Sequence, residues 1–137
     1  MKRMKMAVSL VLTVMILSSL CVSFARASDQ IDSYNITVAA IGGGQIRVTA
    51  TIAGTHPRMT QIGFPVISLY EWNSTTSKWV TKSSVTSQYA YSGGSHSYQF
   101  IYSGTVGKLY YAGASFFAQD SLGSDSRSKN SVSMEAT

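Results

Sequence analysis

The sequence predicts an all-β protein, a two-sheet antiparallel sandwich of about seven strands behind a helical N-terminal export segment. Three observations predict it. Short segments alternate strictly between apolar and polar residues, the period of a strand with one wet face. Glycine- or serine-rich turn signals separate them at intervals of roughly ten to fifteen residues. Beyond residue 28 no stretch carries the 3.6-residue period of an amphipathic helix. A small β-barrel is the alternative arrangement of the same strands.

The first element is the export segment. Lys2, Arg3 and Lys5 precede an uncharged, mostly apolar run over residues 7–22, followed by a short segment over 23–27 that ends in Ala25-Arg26-Ala27. This is the layout of a secretory signal peptide over residues 1–27, with Ala25 and Ala27 at −3 and −1 of the cut and Ser28 as the first mature residue. The run has 16 residues, short of the roughly 20 that span a bilayer as a helix. Cys21 follows Leu20, a poor fit to the small residue expected before a lipid-bearing cysteine. The cysteine is therefore expected to leave with the signal, so no disulfide staples the secreted domain. Absence of disulfides in a secreted domain of this size suits a bacterial source, and the long basic signal suits a Gram-positive one.

Processing also removes the apparent basicity. The full chain carries +5, but residues 28–137 hold seven basic and six acidic side chains, a net charge of +1. No basic cluster survives, so nucleic acid is excluded as a partner, and contact with a membrane is expected only through the signal before cleavage. Residues 28–33 are expected to be a flexible leader and residues 34–137 a single domain, large enough for one core. Ser and Thr number 30 in the mature chain, which suits exposed strand faces. Its eight Tyr, two Trp and four Phe exclude general disorder.

The strands follow in order. Residues 34–41 place Ile36, Val38 and Ala40 on one side. Gly42-Gly43-Gly44 then supplies a turn that needs positive φ. Residues 45–53 alternate Ile46, Val48, Ala50 and Ile52 against Arg47, Thr49 and Thr51, completing a hairpin. Residues 61–72 are nearly continuous in apolar side chains, as a central strand requires, with Pro65 marking a bulge or a strand start. After the polar turn 73–77, residues 79–86 read as a polar edge strand and residues 89–94 as a loop. Residues 96–102 place Tyr98, Phe100 and Tyr102 on one face. Residues 108–119 place Tyr110, Ala112, Ala114, Phe116 and Ala118 on one face, small enough for a facing sheet to come close. A turn over 121–125 and a short strand over 131–135 close the chain.

Tyr110 opens a strand of alternating small apolar residues, followed by Ala118-x-Asp120-x-x-Gly123 and serines. Residues 110–131 thus resemble the end of fibronectin type III and related bacterial Ig-like modules. The resemblance implies an Ig-like/fibronectin-like sandwich and a tyrosine corner, with the Tyr110 hydroxyl bonded to upstream backbone. The Trp usual in the second fibronectin strand is absent from residues 46–53, and the usual early Pro is missing. The whole mature stretch is also similar to small uncharacterised secreted proteins of Gram-positive bacteria, through Gly42–Gly44, the strand from Gly63 to Tyr70, Trp79 and Tyr110-Tyr111. That likeness implies no activity.

The chemistry-bearing residues point away from an enzyme. His56 and His96 are the only histidines, without the spacing or neighbours of a zinc site. Asp120 and Asp125 read as turn formers, with a weak calcium loop as the other option. There is no Gly-x-Ser-x-Gly elbow, and the triple glycine lacks the Lys and helix of a phosphate loop. The expectation is no catalytic residue, metal or cofactor. Asn35-Ile36-Thr37 and Asn73-Ser74-Thr75 are glycosylation acceptors only in a eukaryotic secretory route.

The aromatic cluster carries the functional signal. Tyr70 and Trp72 end one strand and Trp79 begins the next across a polar turn, so their rings can share a face. Buried, they belong to the core; exposed, they form a platform for a cell-surface glycan or protein. The expected role is a secreted, non-enzymatic extracellular binding or structural module. The alternative is a secreted effector, a small toxin or antimicrobial protein acting on another cell's envelope; the low mature charge argues against simple membrane disruption.

Overall fold

The computed structural model describes residues 29–137. The expected signal segment, with Cys21, Ala25, Ala27 and the cleavage residue Ser28, lies outside them.

The triple glycine sets the first hairpin. Gly42, Gly43 and Gly44 take φ of 90°, 61° and 76°, a left-handed path that side chains resist. It joins β1 (Ile31–Gly42) to β2 (Gln45–Gly54) in antiparallel register, Val38 opposite Val48 and Ile36 opposite Ala50. The other edge of β2 pairs with β5 (Ser95–Ser103), and these strands form a three-stranded sheet in the order β1-β2-β5. The second sheet is built on β3 (Met59–Asn73), which pairs with β4 (Lys78–Gly93) on one side and β6 (Leu109–Gln119) on the other. β7 (Ser124–Asn130) continues the order as β4-β3-β6-β7, and the two-residue β8 (Met134–Glu135) pairs with the start of β6.

The two sheets face each other as a sandwich rather than closing into a barrel. Ile46, Val48, Ile62, Phe64, Ile67, Leu69 and Phe116 are fully buried between them. Each such side chain removed from water contributes about 1.5–3 kcal/mol. Ala112, Ala114 and Ala118 are buried on β6, and their small size lets Tyr34 of the facing sheet reach Phe116 at 5.0 Å between ring centroids. Phe64 meets the same ring edge-on at 5.6 Å.

β3 is central and β4 lies at the sheet edge, as their compositions imply. Pro65 sits within a register shift between Gly63 and Val66 in the β3–β6 ladder. The bulge absorbs the amide hydrogen that proline lacks.

Three expectations need correction. The leader is shorter than 28–33, because β1 begins at Ile31; that side chain is 5% exposed, and the neighbouring Gln30 carbonyl accepts from the Thr55 amide. Residues 89–93 are strand rather than loop. Met59 and Gln61 extend β3 and pair with Gly93 and Tyr91. At the C-terminus the expected turn over 121–125 is confined to 121–123, strand 124–130 follows it, and only Met134–Glu135 survives of the expected strand 131–135. β7 carries no apolar side chain. It is an edge strand held by its ladder to β6 and by long charged side chains, so it has no hydrophobic alternation to read.

Candidate functional site

The outer face of the large sheet holds the aromatic residues. Inward Leu69 forces its neighbour Tyr70 outward, and outward Trp72 follows two residues on. Trp79 of β4 lies directly opposite Trp72, and Tyr111 of β6 directly opposite Tyr70. Trp72 and Trp79 meet edge-on at 5.3 Å, Trp79 and Tyr111 at 4.6 Å and 90°, and Tyr70 stacks on Tyr111 at 4.8 Å and 15°. Such pairs contribute about 0.5–1.5 kcal/mol each beyond burial.

None of the four rings belongs to the core. Tyr70, Trp72 and Tyr111 are half-buried against one another, and Trp79 is the most open at 38% exposure. Burial, with Tyr70 beside it, pushes the Tyr111 hydroxyl above its ordinary pKa.

Tyr111 was not singled out as a site residue in the sequence. Its signal was nonetheless present: the alternation that turns Tyr110 inward turns Tyr111 outward. Rows of hydroxyls and small residues continue down the same face. Ser68 lies opposite both Gly113 and Ser84, with Gly113 paired onward to Asn130. Val66 lies opposite Ser115 and Thr86, with Ser115 paired onward to Ser128. A Cβ on Gly113 would meet the Asn130 Oδ1 at 2.7 Å, so glycine lets the Asn130 amide come close, and a shallow dip lined by Ser68, Tyr70, Gly113, Ser115 and Asn130 lies beside the aromatic cluster. Beyond it, Gly63 is flanked by Tyr89 and Phe117, whose rings meet edge-on at 6.3 Å.

Tyr110 is the inward counterpart, and it is fully buried. Its hydroxyl accepts from the Thr105 amide at 2.9 Å and donates to the Glu71 carboxylate. The expected bond to upstream backbone is therefore present, with a carboxylate partner the sequence reading did not include. Burial pushes the Glu71 carboxyl up, but the Tyr110 hydrogen bond and the Lys82 and Lys108 cations outweigh it and hold it below its ordinary value. Lys82 reaches Glu71 at 3.3 Å.

The remaining titratable candidates have structural partners. Asp120 Oδ1 accepts from the amides of Leu122 at 2.7 Å and Gly123 at 3.2 Å, the bonding of a turn former. His56, in the β2–β3 connection, approaches its other oxygen at 3.6 Å. Asp125 lies on β7 and pairs with Arg127 at 2.9 Å, so the two aspartates do not share a loop. His96 packs its ring 5.5 Å from Phe64. Among the described residues no three His, Cys, Asp or Glu side chains cluster as metal ligands. Asn73 accepts from the amides of Thr75 and Thr76 and shapes the turn beside the tryptophans.

No family model matches the chain, and no curated protein matches it.

Proposed function

We propose that the protein is a secreted, non-enzymatic extracellular binding domain that uses Tyr70, Trp72 and Trp79, joined by Tyr111, as its contact platform. The observation that carries this reading is that the rings stand on the outer face of the large sheet, outside the core, and pack into a rigid group. Preassembled rings lose little conformational entropy when a partner docks on them. The non-enzymatic reading is supported by the engagement of Glu71, Asp120 and Asp125 in bonds that hold loops and strands together. The Tyr110 hydroxyl bonded to Thr105 supports the resemblance to fibronectin type III and Ig-like modules. The signal layout over residues 1–27 supports export, from a Gram-positive bacterium on the reading above.

The test is adhesion of the mature protein to whole bacterial cells and to isolated cell-wall polysaccharide. Trp72→Ala combined with Trp79→Ala should abolish retention while the urea midpoint shows a folded domain. Unchanged retention by a folded double variant would remove the platform.

A further inference from the structure

Most charged side chains of the large sheet stand on one side of it; Glu135, opposite Leu109 on β8, takes the outer face only at its tryptophan end. On β7, Asp125, Arg127 and Lys129 alternate with Ser126, Ser128 and Asn130. Arg127 reaches Asp29 at 3.3 Å and Lys129 reaches Asn35 at 2.9 Å, so the charged set leans toward the small sheet. The seryl and amide set therefore takes the outer face. On β3 and β4 the Glu71–Lys82 pair likewise belongs to the Tyr110 side. Between the Tyr70–Tyr111 pair and the Tyr89–Phe117 pair, the rows of the outer face carry only hydroxyls, the Asn130 amide, Gly113 and Val66.

We infer that this face is a binding groove for an uncharged, extended polysaccharide, running along β3 and β6 from the tryptophans to Tyr89 and Phe117. The inference rests on the platform reading and names its ligand. Three features select that occupant. Middle rows without ionic groups offer nothing to an acidic or basic polymer and impose no ionic desolvation on a neutral one. Its rings lie at the two ends and its hydroxyls in the middle, the reverse of a protein interface with an apolar centre and a polar rim. A sugar ring has apolar C–H faces for aromatic stacking and a periphery of hydroxyls for the seryl and asparaginyl groups between. The length fits a chain rather than one sugar: Tyr111 to Phe117 is six residue steps along β6, roughly 20 Å at about 3.3 Å per residue.

The test is calorimetric binding of the mature protein to the neutral β-linked hexasaccharides of glucose and of N-acetylglucosamine, to their disaccharides, and to polygalacturonate as the anionic comparison. At least one hexasaccharide should bind about tenfold or more tighter than its disaccharide, with little salt dependence, and polygalacturonate should not bind. Trp79→Ala at one end, Tyr89→Ala at the other and Ser128→Asp in the middle should each weaken hexasaccharide binding by about tenfold or more. Loss with Trp79→Ala alone would overturn the groove and leave the platform standing. Retention on cells that protease treatment of those cells abolishes, with neither hexasaccharide bound, would make the partner a protein and overturn the glycan assignment alone. Hexasaccharide binding indifferent to all three substitutions would overturn both readings.

Discussion

The two outward faces of this sandwich are built from the same hydroxyl-rich composition but are organised differently. On the small sheet, Thr37 lies opposite Thr49, and Thr49 opposite Gln99. The Thr37 hydroxyl donates to the Thr49 carbonyl, and the Thr49 hydroxyl to the Gln99 side-chain oxygen at 3.3 Å. Arg47 interrupts the row between Ala39 and Ile101. On the large sheet the hydroxyls lie between two groups of rings, and the charges of its edge strand lean toward the other side. Exposed serine and threonine alone do not make a site. Both faces bond to themselves across strands, as the Ser68 and Ser84 hydroxyls do at 3.0 Å on the large sheet, but the large face adds a packed group of rings.

The largest effect should come from the core that both faces share. Phe116 is fully buried and touches Tyr34 and Phe64. Phe116→Ala should cost about 3–5 kcal/mol, read as the urea midpoint, and should weaken both faces together. A cost below 1 kcal/mol, about the scale of a surface change, would show that the sheets do not depend on this contact.

Next in size is Tyr110→Phe. It leaves the Glu71 carboxylate and the Thr105 amide without their shared hydroxyl, so about 1–3 kcal/mol should be lost. Glycan binding by the folded variant should be unchanged, because this residue faces inward. An unchanged urea midpoint would remove the tyrosine corner as a stabilising element.

The same cluster predicts a pH dependence. The Glu71 carboxyl lies below its ordinary value in the folded state. Its contribution is therefore full above the unfolded carboxyl pKa and is lost as pH falls through the folded one. Stability should decline on acidification from about pH 5 downward, and Glu71→Gln should flatten that decline. An identical pH profile in the variant would assign the acid sensitivity to other carboxylates.

The smallest effect separates the faces most cleanly. Thr49→Ala on the small sheet should change stability by no more than about 0.5 kcal/mol and leave glycan binding unaltered. A loss of binding comparable to that of Trp79→Ala would move the site to the wrong sheet.

The two-sheet fold was legible wherever burial left an alternating trace. Ile46 to Ile52 and Tyr110 to Ala118 are read directly, because each inward position is apolar and each turn carries glycine or polar residues. β7 was illegible because its inward positions are Asp125, Arg127 and Lys129, which reach over the core rim rather than into it. Residues 89–93 hid as a loop because Gly93 and Ser92 resemble a turn. Their pairing is set by β3, and local composition does not contain it. The site was half legible. Tyr70, Trp72 and Trp79 stand out by type and spacing, but Tyr111, Gly113, Tyr89 and Phe117 join them only through the register of three strands. Export remains a separate expectation: intact mass of the exported form should begin at Ser28, and a chain retaining Met1 or carrying lipid on Cys21 would remove the soluble secreted form.

The proposed ligand site is the aromatic, hydroxyl-rich face of the large sheet. The chain's two tryptophans, Trp72 and Trp79, both lie on that face, so tryptophan emission reports on it alone. Titration with the neutral hexasaccharide that calorimetry shows to bind should shift the emission to shorter wavelength and protect it from acrylamide quenching, both saturating at the calorimetric Kd. Binding by calorimetry with emission and quenching unchanged would place the ligand elsewhere and contradict the account.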